Sequence, residues 1–129
     1  MRKGAIIICS IVGVIGLSVG TLVLTKESTG TSLHCTAKPV SYAAIIKDGT
    51  VTPNTIDAKL CGTLTITNQD AIAREIAFGE HDKHVAYDGI GEKVLNQGQS
   101  LTITFNKTGS FHFHDHLHDE VEGFFTITK

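Results

Sequence analysis

The chain has 129 residues, of which 41% are hydrophobic and 19% charged, so it holds enough apolar surface for one packed domain and is too apolar for a disordered tail. Its formal net charge of −2 gives no footprint for gripping a phosphate backbone, and nucleic acid is excluded as a partner. Seven histidines against eleven Lys plus Arg is an excess that points to where function lies.

Arg2 and Lys3 precede an uncharged run from Gly4 to Leu24, whose 21 residues span about 31 Å as a helix, the thickness of a bilayer core. Residues 1–25 therefore form one N-terminal transmembrane or signal helix, and the basic start keeps that end cytoplasmic. The segment reads as a retained anchor. Ser18, Val19 and Gly20 offer a small-x-small site for the alternative, a cleaved signal and a secreted domain. Either way the rest of the chain is extracytoplasmic, at the cell surface or in a periplasm. Residues 26–38 are small and polar and read as a tether, leaving 39–129 as the domain. In an oxidising compartment Cys35 and Cys61 have each other as the obvious partner, and a disulfide between them would pin the tether to an early strand; two reduced thiols are the alternative.

From Gly62 onward apolar residues recur with period two. Leu64 and Ile66 alternate with threonines, as do Leu101, Ile103 and Phe105; Phe111 and Phe113 alternate with His112 and His114, and Phe125 and Ile127 with Thr126 and Thr128. Turn residues separate the runs at Asp48–Gly49, Asn68–Asp70, Asp88–Gly89, Gln97–Gly98 and Lys107–Gly109. The expected architecture is all-β, a sandwich of two antiparallel sheets.

Particular motifs resemble the cupredoxin family. Thr65 to Asp70 is similar to its strand and Asn-x-Asp turn, and Leu95 to Phe105 to its Leu-x-x-Gly-Gln-Ser stretch and following strand. Gly109 to Phe113 resembles the strand that delivers the blue-copper cysteine, and Gly123 to Ile127 the closing strand. The resemblance covers residues 40 to 129 and implies a Greek-key β-sandwich of the plastocyanin and azurin type. The family's Cys-x-x-His-x-x-Met-x-Gly spacing falls on Asp115, His118, Val121 and Gly123, and its upstream His ligand on Arg74. Type 1 copper needs a thiolate, two imidazoles and a weak axial thioether. Without the cysteine and the methionine, ordinary blue-copper electron transfer is not expected.

Six histidines fall into two groups, His81 with His84 and His112 with His114, His116 and His118. Alternate positions on one strand face place several imidazoles within a few ångströms, an arrangement that suits a metal ion. If the strand starting at Arg74 ran straight on, His81 would lie about 23 Å from Asp115. The two groups meet only if Gly79 ends that strand and Glu80 to Asp88 folds back. On that basis the expected ligands are His81, His84, His114 and His116, with His118 as a fifth, and Asp115 or Glu120 as the carboxylates that orient the imidazoles. All-imidazole sites suit copper first and zinc second. No nucleophile with an adjacent base, triad or phosphate loop is present, so the expected function is metal binding for copper handling or storage, not catalysis. A copper redox or electron-transfer protein, and a metal-free structural or partner-binding module, are the alternatives.

Overall fold

The alternation read from the sequence is the burial pattern of the strands. In β4 (Thr63–Asn68), Leu64, Ile66 and Asn68 are buried, while Thr63, Thr65 and Thr67 are only partly covered. The computed structural model describes Cys35 and residues 38–129; the expected N-terminal helix and most of the tether lie outside the described residues. Among the described residues there is no helix, and none therefore long and apolar enough to cross a membrane.

Ten strands follow one another: β1 (Ser41–Lys47), β2 (Thr50–Thr52), β3 (Thr55–Lys59), β4, β5 (Arg74–Glu80), β6 (Lys83–His84), β7 (Glu92–Leu95), β8 (Ser100–Thr104), β9 (Gly109–Asp115) and β10 (His118–Thr128). They make two sheets, one in the order β2-β1-β4-β8 and one in the order β3-β10-β9-β5-β6, with β7 also paired to β5. The sheets are mixed rather than purely antiparallel, because β1 runs parallel to β4 and β3 parallel to β10. Both parallel pairs come from the first strands of the domain, which cross between sheets before finding partners distant in sequence. The expected turns are in place: Asp48 and Gly49, and Asp88 and Gly89, occupy left-handed conformations that suit Asp and Gly.

Phe78, Phe105, Phe113 and Phe125 fill the space between the sheets together with Ile46, Leu64, Ile66 and Ile103. Burying each such side chain contributes about 1.5–3 kcal/mol. Gly123 sits under this layer, and a Cβ there would overlap the Phe113 ring. Cys35 and Cys61 form a disulfide that closes a separation of 26 residues and ties the segment before β1 to the turn between β3 and β4.

Candidate metal centre

Strand β9 carries two kinds of chemistry on its two faces. Phe113 and Asp115 point into the sandwich and are buried, whereas His112, His114 and His116 belong to the opposite face. That face is not bare. Although His114 lies on the outer side of the sheet, only 1% of it is exposed.

The cover is the β5–β6 hairpin. Strand β5 runs beside β9, with Ala77 opposite His114 and Phe78 opposite Phe113, and continues one residue past Gly79 before turning at His81 and Asp82. Returning, β6 sets His84 opposite Gly79. Gly79 has φ 87°, and a Cβ on it would meet the Lys83 carbonyl oxygen at 2.8 Å, so only glycine lets the hairpin close this tightly. The fold-back brings the His81 ring within 5.8 Å of the His114 ring and 5.1 Å of the His116 ring.

Four imidazoles converge. One ring nitrogen from each of His81, His84, His114 and His116 lies within 4.8 Å of the other three. His84 Nε2 is 3.3 Å from both His114 Nε2 and His116 Nδ1. Nitrogens bound at about 2.0–2.1 Å to one tetrahedral ion stand about 3.3–3.4 Å apart, whereas a hydrogen bond to nitrogen would ordinarily draw them closer, to about 2.9–3.0 Å.

Carboxylates fix the tautomers of two of these rings. Glu92 Oε1 lies 2.6 Å from His84 Nδ1, and Asp119 Oδ1 lies 2.8 Å from His81 Nδ1. A carboxylate can only accept, so each ring, when neutral, keeps its proton on Nδ1 and has a bare Nε2 lone pair, and that of His84 faces His114 and His116. Burial, with the neighbouring His112 and His84, holds His114 below the ordinary imidazole value, which leaves it neutral and able to coordinate. The His114 Nδ1 has no hydrogen-bond partner among the described residues.

Of the expected fifth ligand and orienting carboxylates, the structure makes different use. His118 is not among the four; its Nδ1 meets Asp115 Oδ2 at 3.0 Å. Asp115 hydrogen-bonds to none of the four rings, and the Glu120 side chain is exposed without a hydrogen bond among the described residues. The carboxylates that do orient the rings are Glu92 and Asp119. Glu92 reaches the site because β7 pairs with β5, placing it opposite Ala77, and nothing in the spacing of the histidines points to it.

Arg74, Asp115, His118 and Val121, on which the family's ligand spacing falls, do not form a donor set. Arg74 Nη1 donates to Asp115 Oδ2 at 2.9 Å, and its Nη2 to Asp70 Oδ2 at 2.6 Å. Asp115 Oδ1 accepts from the Glu75 and Leu117 amides at 3.0 and 3.2 Å. Burial alone would raise the Asp115 pKa, but Arg74, the two amides and His118 together hold it below the usual carboxylate range. Val121 is buried and offers no lone pair. A guanidinium and its two carboxylates fill this region, and the imidazole cluster stands on the other face of the same strand.

A two-sheet sandwich with its chemistry at the ends of β5, β9 and β10 defines a class, and the comparisons agree with it. Residues 15–127 match the family described as cupredoxin-like domain, and the chain belongs to that family. No protein of curated function matches the chain. Among solved structures it is similar to a purple cupredoxin from Nitrosopumilus maritimus, at 20% identity and TM-score 0.59, covering 67% of this chain and 99% of that one. It is also similar to a reduced amicyanin mutant, at 18% identity and TM-score 0.57, covering 68% and 82%. The reduced Cu(I) form of another amicyanin mutant aligns at 16% identity and TM-score 0.58, covering 72% and 87%. At these identities the likeness is one of fold.

Proposed function

We propose that the protein binds copper through His81, His84, His114 and His116 and serves copper handling or storage, as an extracytoplasmic domain tethered by its N-terminal segment. The observation that carries the reading is the convergence of four imidazole nitrogens, with Glu92 and Asp119 set against the Nδ1 atoms of His84 and His81. Such a donor set suits copper, which binds most tightly of the first-row divalent ions. The family relationship points the same way, since one structural neighbour is a Cu(I) form of amicyanin. Binding is read in preference to blue-copper electron transfer because Arg74 and Asp115 pair with each other where a thiolate centre would need open ligands.

Zinc is the second reading, favoured by the 3.3 Å spacing that a tetrahedral ion requires. Elemental analysis and competition titrations of the chain, produced without a histidine tag, test both. One equivalent of copper is expected, with loss of uptake in His84→Ala and in His116→Ala, whose rings are only partly buried and whose removal leaves the core packing unchanged. Undiminished uptake in both variants would overturn the assignment, and preference for zinc over copper would transfer the site to the second ion.

A further inference from the structure

Beside the imidazole cluster, where β9 runs on past its pairing with β5, lies a cavity of about 550 Å³ that the metal reading leaves unused. Its volume lies in the range of small-molecule sites, about 300–1,000 Å³. Phe78, Tyr87, Phe111 and Phe124 form its apolar wall. Phe124 is 42% exposed, and its ring is nearly parallel to that of His112, with centroids 4.7 Å apart and 16° between planes. One face of that ring is thus used by His112, and a further flat ring can extend the stack.

The charge of the cavity is unlike that of the metal cluster. Lys83 and Lys107 line it, and neither has a carboxylate within ion-pair distance among the described residues. The Lys107 ammonium stands 5.0 Å from the centre of the Tyr87 ring and 5.2 Å from that of Phe111. It is held at an aromatic wall with its remaining donors free. The one carboxylate in the lining is Glu80, at the exposed end of β5; the nearby Glu122 is already 3.0 Å from His112 Nε2. Two unpaired ammoniums against one carboxylate leave the cavity positive, in a chain whose formal net charge is −2.

We infer that this cavity binds a small planar aromatic anion, a single or fused ring bearing a carboxylate, with its ring against Phe124 and its carboxylate at Lys107. Stacking supplies the preference for a flat ring over a saturated one, and the ammoniums supply the preference for an acid over an amine. His112, which lines the cavity, also stacks on His114 at 5.2 Å, so one ring stands between the cavity and the imidazole cluster.

The test is a titration of the full chain, stripped of metal with a chelator, followed by chemical-shift changes with indole-3-acetate as the probe. Tryptamine and cyclohexylacetate serve as comparison ligands. One saturable site is expected, with tryptamine about ten-fold weaker. Lys107→Gln should weaken binding about three- to five-fold, as for a partly screened ion pair, and Phe124→Ala about three- to ten-fold through lost stacking. Both residues are exposed, so neither variant removes core packing. Absence of saturation, equal affinity for the amine, or indifference to both substitutions would overturn the proposal. Binding seen only after copper is restored would also overturn it, by showing the carboxylate on the ion instead of at Lys107. Because the chain is metal-free throughout, failure of the copper assignment leaves this result untouched.

Discussion

Arg74 and Asp115 form a buried ion pair of 2.9 Å, and the two residues occupy positions onto which the family's spacing would place a histidine and a cysteine ligand. Asp70 completes the network from the other side of the guanidinium, through Nη2 and Nε at 2.6 and 3.1 Å. Removing one member of such a set strands the charge of the others in the core. Arg74→Ala is expected to lower unfolding stability by about 3–5 kcal/mol, read from denaturant midpoints. A loss under about 1 kcal/mol, the size of an exposed pair, would show that water reaches the network.

Asp70 gives the network a defined pH signature. Burial opposes its ionisation, but the Arg74 guanidinium and the Gly49 and Asp48 amides outweigh burial and hold its pKa below the usual value. A carboxyl depressed in the folded state stabilises at pH above its unfolded value of about 3.9, and that contribution disappears as pH falls through the folded value. Asp70→Asn should therefore cost about 1–3 kcal/mol at pH 6 to 7, and the gap from the parent protein should close below about pH 4. Parallel stability curves across pH 3 to 7 would contradict this.

Glu92 and Asp119 are expected to matter to the ion without touching it. Each accepts from an Nδ1 and so leaves an Nε2 lone pair free. Losing such an orienting carboxylate commonly costs ten- to a hundred-fold in metal affinity, and Glu92→Gln should show about that loss in a competition titration. Asp119→Asn should lose less, because both members of its pair are about half exposed, His81 at 49% and Asp119 at 57%. Glu120→Gln, with no contact to a ring, serves as the comparison and should bind copper as the parent does.

Legibility in the sequence followed locality. Strands β4, β8, β9 and β10 were readable because large apolar residues alternate with threonine or histidine within a few positions. By contrast β1, β2 and β3 carry the pattern more faintly: in Ser41–Lys47 the inward residues are Ala44 and Ile46, and Ala43 and Ile45 beside them blur the alternation. Parallel pairing of β1 with β4 and of β3 with β10 depends on partners some 20 to 70 residues apart, which no local period encodes. The grouping of the histidines, and the need for a fold-back near Gly79, were visible as spacing. Glu92 was not, since it arrives through the register of a neighbouring strand. His118 followed the family pattern in the sequence, but in the structure its partner is a carboxylate, Asp115, that has Arg74 for company.

The fold-back at Gly79 yields the sharpest separation between site and scaffold. Gly79 and Gly89 both have positive φ, 87° and 77°, so an alanine at either carries a similar backbone cost of about 1–3 kcal/mol. They differ in what the new methyl meets. At Gly79 it would lie 2.8 Å from the Lys83 carbonyl oxygen and 3.2 Å from the Val85 nitrogen, whereas at Gly89 nothing lies within 4 Å. Gly79→Ala must push β6 away from β5, carrying His84 off His114 and His116. Copper affinity is expected to fall at least ten-fold in Gly79→Ala, about 1.4 kcal/mol or more, and to stay unchanged in Gly89→Ala despite a comparable loss of stability. Equal affinities in the two variants would mean that the hairpin does not need to be closed for the four imidazoles to reach one ion.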